Sequence, residues 1–299
     1  MKKNKTLRFF VALLIVLVFL AGLVVGGDFI LDKTVVPRYF GMYGIHNMGE
    51  LVQMMGTLYN SNNETDIVTN GFSSADLASA EDKLIAVGFP KLESTGRLNY
   101  SEIGEGHVAP TPESSTQLTD KELASVLGEM LKSGVMAEKL PDLKYLNTLS
   151  FTMLETIIKP TKVDGVVDPD SANVVFTLKL DTSSVREQMA AEMEMPLFLL
   201  NMIVPKKLFI NVNFNVSIVD GEWVYSNSKI AINGRTSKQS EILLNLLISF
   251  IYPKNEEMTI EKINQQFGDV VKKGLGLLGE AKFSSTVSGN KNGIILTFK

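Results

Sequence analysis

Few side chains in this sequence stand in a pattern that could do chemistry. Gly274-Leu-Gly276-Leu-Leu-Gly279 spells the dinucleotide fingerprint. That chemistry needs a strand before the glycines and a helix after them, so that helix N-terminal amides meet a pyrophosphate. Here the apolar spacing puts a helix before and a strand after, and the run reads as a glycine-rich helix end. Ser226 and Lys229 have the Ser-x-x-Lys spacing of penicillin-binding enzymes, in which the serine must open a helix. In this chain both fall in a strand-like stretch. Asp164, Asp168, Asp170 and Asn173 offer clustered oxygens of the kind calcium prefers. Ala172 occupies a ligand position, however, and no glutamate closes the loop, so Asp168-Pro-Asp170-Ser is expected to be a solvated turn. His46 and His107 are the two histidines, and neither has a visible metal or catalytic partner. With no cysteine in the chain, disulfides, thiolate metal sites, cysteine nucleophiles and bacterial lipoprotein anchoring are excluded. No catalytic residue, metal set or cofactor is therefore expected. The formal net charge of -4 leaves no basic footprint for nucleic acid. Asn63, Asn99 and Asn215 open glycosylation sequons by spelling alone.

What the sequence offers instead is apolar surface. From Leu208 to Ile218, the residues Leu208, Ile210, Val212, Phe214, Val216 and Ile218 alternate with Asn211, Asn213, Asn215 and Ser217. A period of two with a clean polarity split predicts a half-buried antiparallel strand. Asp220-Gly221 is a two-residue hairpin signal. The register it sets places Trp223 and Tyr225 against Ile218 and Val216. Thr236-Ser237 with Gln239 then predicts a helix start. The helix that follows, Ile242 to Ile251, is apolar nearly all round, with Asn245 and Ser249 on one stripe. It is too short to span a bilayer, so it is either a buried core helix or one wall of an apolar cavity. The methionine-rich stretch from Met189 to Ile203 would supply a second, adaptable wall, or ordinary core. A greasy ligand would meet Ile210, Val212, Phe214 and Val216 on the strand and Leu243, Leu246, Leu247 and Phe250 on the helix.

The elements around this unit read as an α+β chain behind a membrane anchor. Lys2, Lys3, Lys5 and Arg8 precede an apolar run from Phe9 to Val25. That run approaches the roughly 20 residues a spanning helix needs, and the basic flank keeps the N-terminus in the cytoplasm. An uncleaved anchor suits its length better than a signal peptide cut before Asp28. The expected organisation is 1–30 as tail and transmembrane anchor, 31–117 as a juxtamembrane helical region ending in a linker at Gly104 to Gln117, and 118–299 as an extracytoplasmic α+β domain. Helices are expected from about Ile45 to Tyr59 and from a cap at Ser73-Ser74 with Asp76 through Leu84. Thr119-Asp-Lys-Glu122 is a capping box ahead of an amphipathic helix carrying Leu123, Val126, Leu127, Met130 and Leu131. Strands are expected over Leu149 to Ile158, over Val174 to Leu180, and on either side of Asn290 to Gly293. A helix from Asp181 to Ser184 onward should carry Val185, Met189 and Met193. The order hairpin then helix occurs twice, which fits either an internal repeat or the common grammar of α+β chains.

The opening Leu118-Thr-Asp-Lys-Glu-Leu123, the hairpins after it, and Lys229-Ile-Ala-Ile-Asn-Gly234 leading into an apolar helix resemble the small membrane-anchored Gram-positive proteins of the YpmS-like type. More distantly, the order is similar to the tubular lipid-binding (TULIP-like) architecture. The resemblance spans roughly Leu118 to Phe250 and is architectural, so it transfers no binding residue. It implies a long helix wrapped by a curved antiparallel sheet around an apolar groove, while the residues themselves predict antiparallel hairpins packed on amphipathic helices. The expected partners are the membrane and either a lipid or another protein of the cell envelope, with no nucleic acid. An enzyme is not expected.

Overall fold

The protein is described from a computed structural model, which covers residues 36–41, 45–52, 67–105, 111–134, 150–183, 186, 190, 197, 206–220, 222–233, 280–289 and 291–298. The helices are α1 (Val36–Phe40), α2 (Ser74–Ala86), α3 (Tyr100–Glu105) and α4 (Asp120–Lys132). The strands are β1 (Ser115–Thr119), β2 (Ser150–Val163), β3 (Val166–Asp181), β4 (Lys207–Val219), β5 (Glu222–Ile232), β6 (Glu280–Val287) and β7 (Lys291–Thr297). They form an antiparallel four-stranded sheet in the order β2-β3-β4-β5 and an antiparallel three-stranded sheet in the order β1-β7-β6. This is the α+β architecture of antiparallel hairpins and short helices. Residues 48–52 and the described positions 186 and 190 are also helical, within stretches expected to be helices, and position 197, outside any expected helix, is helical too. The expected transmembrane run from Phe9 to Val25 lies outside the described residues, and so does the helix from Ile242 to Ile251. Among the described residues, no helix is long and apolar enough to cross a membrane.

The starts of α2 and α4 follow from local chemistry. At α2, the Ser73 hydroxyl accepts the Asp76 N–H while the Asp76 carboxylate accepts the Ser73 N–H. At α4, Thr119 and Glu122 make the same reciprocal pair. Each box satisfies two of the helix donors that have no intrahelical acceptor. Leu123, Val126, Leu127 and Met130 share the buried side of α4, which lies against β2, with Gly128 facing Met153. Serine follows α4 at its C-cap, Ser133.

The linker expected at Gly104 to Gln117 is overturned for its described part. Ser115 to Gln117 belong to β1, which pairs along its length with β7, near the C-terminus. The Glu113 N–H donates to the Phe298 carbonyl, and the Phe298 N–H to that of Ser114. The boundary expected at 117/118 thus falls inside a strand. One apolar core runs across it, from Leu84, Phe89 and Ile103 to Leu118, Leu127 and Phe298, and Phe89 meets Phe298 edge-on at 5.5 Å. Of the Gly and Pro signals over this stretch, Gly104 lies in α3 and Pro112 in the approach to β1. Its pairing partner is nearly 180 positions away in sequence, so no local pattern could announce it. The closeness of that pairing explains Gly293, opposite Thr119. A Cβ there would lie 2.1 Å from the Leu118 carbonyl oxygen, so only glycine fits against the strand-to-helix corner.

The turn expected at Asp168-Pro-Asp170-Ser is also overturned. The chain reverses at Asp164-Gly165, where both residues have positive φ (51° and 82°), and Val163 pairs with Val166. That is the Asp-Gly hairpin geometry, with φ > 0 at both central positions. Asp168, Pro169 and Asp170 lie within β3. Proline is tolerated there because the ladder between β3 and β4 ends at Ser171 opposite Ser217, while that between β2 and β3 is irregular from Pro160 to Lys162. Pro169 therefore has no ladder hydrogen bond to forfeit.

Candidate ligand-binding face

The strand predicted from Leu208 to Ile218 is β4, and its alternation holds. Leu208, Ile210, Val212, Phe214 and Val216 are buried, while Asn211, Asn213, Asn215 and Ser217 are half-exposed on the other face. The hairpin register places Trp223 opposite Ile218 and Tyr225 opposite Val216, and Asp220 has the positive φ (53°) the turn requires.

β3 matches this polarity residue by residue. Val174 faces Phe214, Phe176 faces Val212, Leu178 faces Ile210 and Leu180 faces Leu208, so the apolar face is continuous across the two strands. It continues onto β5 through Ile230 and Ile232, opposite Val212 and Ile210. Phe214 is its aromatic centre. The Phe176 ring lies 5.8 Å away, tilted, and the Tyr225 ring 5.5 Å away, edge-on. Each such pair adds roughly 0.5–1.5 kcal/mol to the burial of its rings. The structure therefore brings the four predicted strand residues, Ile210, Val212, Phe214 and Val216, onto one buried surface. Leu243, Leu246, Leu247 and Phe250 lie outside the described residues. Phe176 and Tyr225 extend the same surface; the hairpin register places Tyr225 there, but neither is among the expected ligand contacts. Thr156 interrupts it. This residue is fully buried, opposite Phe176 on β3, and its hydroxyl has no hydrogen-bond partner among the described residues.

Several buried carboxylates are fully engaged by hydrogen bonds. Glu81 takes a two-pronged contact from Arg97 (3.0 and 2.9 Å) and the Tyr100 hydroxyl at 3.1 Å. Burial, and then the Glu81 charge, push the Tyr100 hydroxyl far above the usual phenol range. Glu122 accepts from Ser79 at 2.6 Å, Lys83 at 2.7 Å and the Thr119 N–H at 2.8 Å. Burial would raise the Glu122 carboxyl, but these hydrogen bonds outweigh it and hold it below the ordinary carboxylate value. Asp120 is raised, chiefly by burial, despite accepting from the Asn70 side chain at 2.7 Å. Glu155 accepts two backbone N–H groups. These carboxylates tie α2, α4 and the 67–71 segment together, and hydrogen bonding to charged groups of this kind specifies packing. The oxygens once considered for calcium are dispersed. Asp170 pairs with Lys282 of β6, and the Asn173 amide turns to Asn213 and Asn215. Among the described residues, no group of three or more histidines, aspartates or glutamates is placed to hold a metal ion. Ser226 and Lys229 lie in β5 and His46 is exposed, whereas His107 and Gly274 to Gly279 fall outside the described residues.

No protein-family model matches the chain, and no curated protein or solved structure shows significant similarity to it.

Proposed function

We propose that this is a membrane-anchored, extracytoplasmic, non-enzymatic protein that binds an apolar ligand such as a lipid. The ligand would lie between the face of Ile210, Val212, Phe214 and Val216 and a helix carrying Leu243, Leu246, Leu247 and Phe250. The observation that carries the reading is the unbroken apolar face shared by β3, β4 and β5 in one register. A helix from Ile242 to Ile251 that is apolar on nearly every side needs cover on every side. An acyl chain would provide it at roughly 25 cal/mol per Å² of apolar area removed from water. The anchor and orientation rest on the basic flank and the apolar run before Asp28.

Substituting Leu247→Trp in the full chain tests this. A groove should lose uptake of a fluorescent fatty acid with little change in stability. A filled core should lose about 1–3 kcal/mol through overpacking. A strongly destabilised variant, together with a parent protein that never takes up the fatty acid or carries lipid in native mass spectrometry, would sink the proposal.

A second reading, that the protein is a structural or assembly partner of another envelope protein, rests on a separate observation. Val163 and Val166 (58% and 71% exposed) and Val219 and Val224 (53% and 50%) cluster at the hairpin ends of the four-stranded sheet. Both turns emerge at that end, because β2 and β4 run in the same direction. Exposed apolar groups gathered at one end suit a protein contact. Crosslinking from that end to a single envelope protein, without lipid uptake, would favour this reading over the first.

A further inference from the structure

The face of the four-stranded sheet opposite the apolar one carries an ordered array of amides. Asparagine is depleted in strands, yet Asn211, Asn213 and Asn215 occupy three successive positions on this face of β4, with Asn173 beside them on β3. Asn211 donates to the buried Thr177 hydroxyl at 2.9 Å, so the accessible amides are those of Asn213, Asn215 and Asn173. Consistency between local preference and fold is the rule, and its breaches concentrate at functional sites. The amides are fixed. The Asn173 Nδ2 group donates to the Asn213 Oδ1 at 2.7 Å and to the Asn215 Oδ1 at 2.9 Å. Their acceptor ends are thereby consumed. The Nδ2 donors of Asn213 and Asn215 and the Asn173 Oδ1 make no hydrogen bond among the described residues, and all three side chains belong to half-exposed residues. Strands about 4.8 Å apart, and outward positions about 6.8 Å apart along one strand, set their spacing.

Charge adds a second, independent feature. Lys159 lies opposite Asn173 and Lys229 opposite Asn213, both exposed and without an ion-pair partner among the described residues. Carboxylates that share this face are displaced or occupied. Glu155 is buried and held by backbone amides. Asp181 and Glu222 take register positions at its two ends.

We propose that this amide face binds an anionic polysaccharide, with Asn213 and Asn215 donating to ring and hydroxyl oxygens and Lys159 and Lys229 pairing with acidic groups on the sugars. Preset donors on a rigid sheet suit hydroxyl-rich ligands, because little side-chain freedom is lost on binding. A protein partner is disfavoured because the patch has no exposed aromatic side chain among its described residues, the kind that anchors protein interfaces, and only Ile157 and Val175 stand half-exposed among its polar groups. Nucleic acid is disfavoured because the patch offers no described aromatic platform for base stacking and the chain is acidic overall. The surface is separate from the apolar face, so the inference stands whether or not a lipid binds there.

Titration calorimetry of the full chain in detergent, with three polymers as probes, tests the assignment. Polygalacturonate should bind, and binding should weaken with salt. Neutral dextran should bind at least tenfold more weakly, and polyglutamate, which has the charge without the hydroxyls, should not bind. Asn213→Val/Asn215→Val should weaken polygalacturonate binding at least tenfold with thermal stability retained. Lys159→Gln/Lys229→Gln, which touches only exposed side chains, should do the same and decides the matter if the asparagine variant misfolds. The proposal is overturned if polygalacturonate fails to bind, if polyglutamate binds equally well, or if the lysine variant binds like the parent.

Discussion

The Glu155 carboxylate accepts the backbone N–H of Asn70 at 2.5 Å across 85 residues of sequence, and that of Thr69 at the same distance. The same Asn70 donates its side-chain amide to Asp120, at the first turn of α4. One short segment is thus held by β2 from one side and by the start of α4 from the other. Glu155 lies at an irregularity in the pairing of β2 with β3, between Met153 and Glu155, and bulges of this kind re-aim side chains. The arrangement fixes α4 over the edge of the four-stranded sheet.

Replacing Glu155→Ala should leave two part-buried N–H groups without an acceptor. Orphaned buried polar groups cost about 1–3 kcal/mol each, so the expected loss of unfolding stability is about 2–4 kcal/mol by urea titration. Hydrogen exchange should accelerate at Thr69 and Asn70 before it does in β3. A variant as stable as the parent, with unchanged protection at those two amides, would show that the contact does not hold the segment.

The ion pair between Lys83 of α2 and Glu122 of α4 should make stability sensitive to acid. Glu122 is held below its ordinary value in the fold, so its contribution is fully present above the unfolded glutamate pKa of about 4.3. It is lost as pH falls through the lower folded value. Lys83→Met should cost about 1–2 kcal/mol near neutral pH, since a mostly buried charge loses a hydrogen-bonded partner. The difference between variant and parent should shrink toward pH 3, where the carboxyl is increasingly protonated. An equal loss at pH 7 and pH 3 would mean that the lysine acts through packing alone.

Two turn signals compete within seven residues, and the structure separates them. Asp164-Gly165 reverses the chain, whereas Asp168-Pro169-Asp170 runs on as strand. Gly165→Ala places a Cβ at a φ of 82° with no atom within 4 Å, so its cost is conformational and should be about 1–2 kcal/mol. Pro169→Ala breaks no ladder bond and should change stability by less than about 0.5 kcal/mol. The reverse order in thermal unfolding would place the turn at the proline after all.

What the sequence made legible follows the range of the physics. Ser73 with Asp76 and Thr119 with Glu122 are contacts three residues long, and both boxes close as spelled. The alternation of β4 and the register of Trp223 and Tyr225 follow from one strand and one two-residue turn. The pairing of β1 with β7, by contrast, depends on residues far apart in sequence, and the close approach at Gly293 has no local signature. The contacts of Glu81 and Glu155, and those of Glu122 with Ser79 and Lys83, have no local signature because the partners are distant in sequence. The asparagine row was visible as the polar half of an alternating strand. Its unusual feature is the choice of asparagine where threonine or lysine would sit more comfortably in a strand, and the hydrogen bonds from Asn173 that make it an array appear only across strands.

Thr156 offers a test of the apolar face itself. Its hydroxyl is fully buried on β2, opposite Phe176 and without a hydrogen-bond partner among the described residues. An unpaired hydroxyl away from water carries a penalty of roughly 1–3 kcal/mol by mutational measures. Thr156→Val keeps the branched shape that strands favour and replaces the hydroxyl with a methyl group. The variant should therefore be more stable than the parent, by about 1 kcal/mol in urea unfolding. Uptake of a fluorescent fatty acid should be unchanged, because an acyl chain needs no polar contact at this position. A loss of stability would mean that the hydroxyl meets a bound water in solution. A loss of uptake at unchanged stability would mean that it meets the polar end of an amphiphile, which would move the ligand from β4 toward β2.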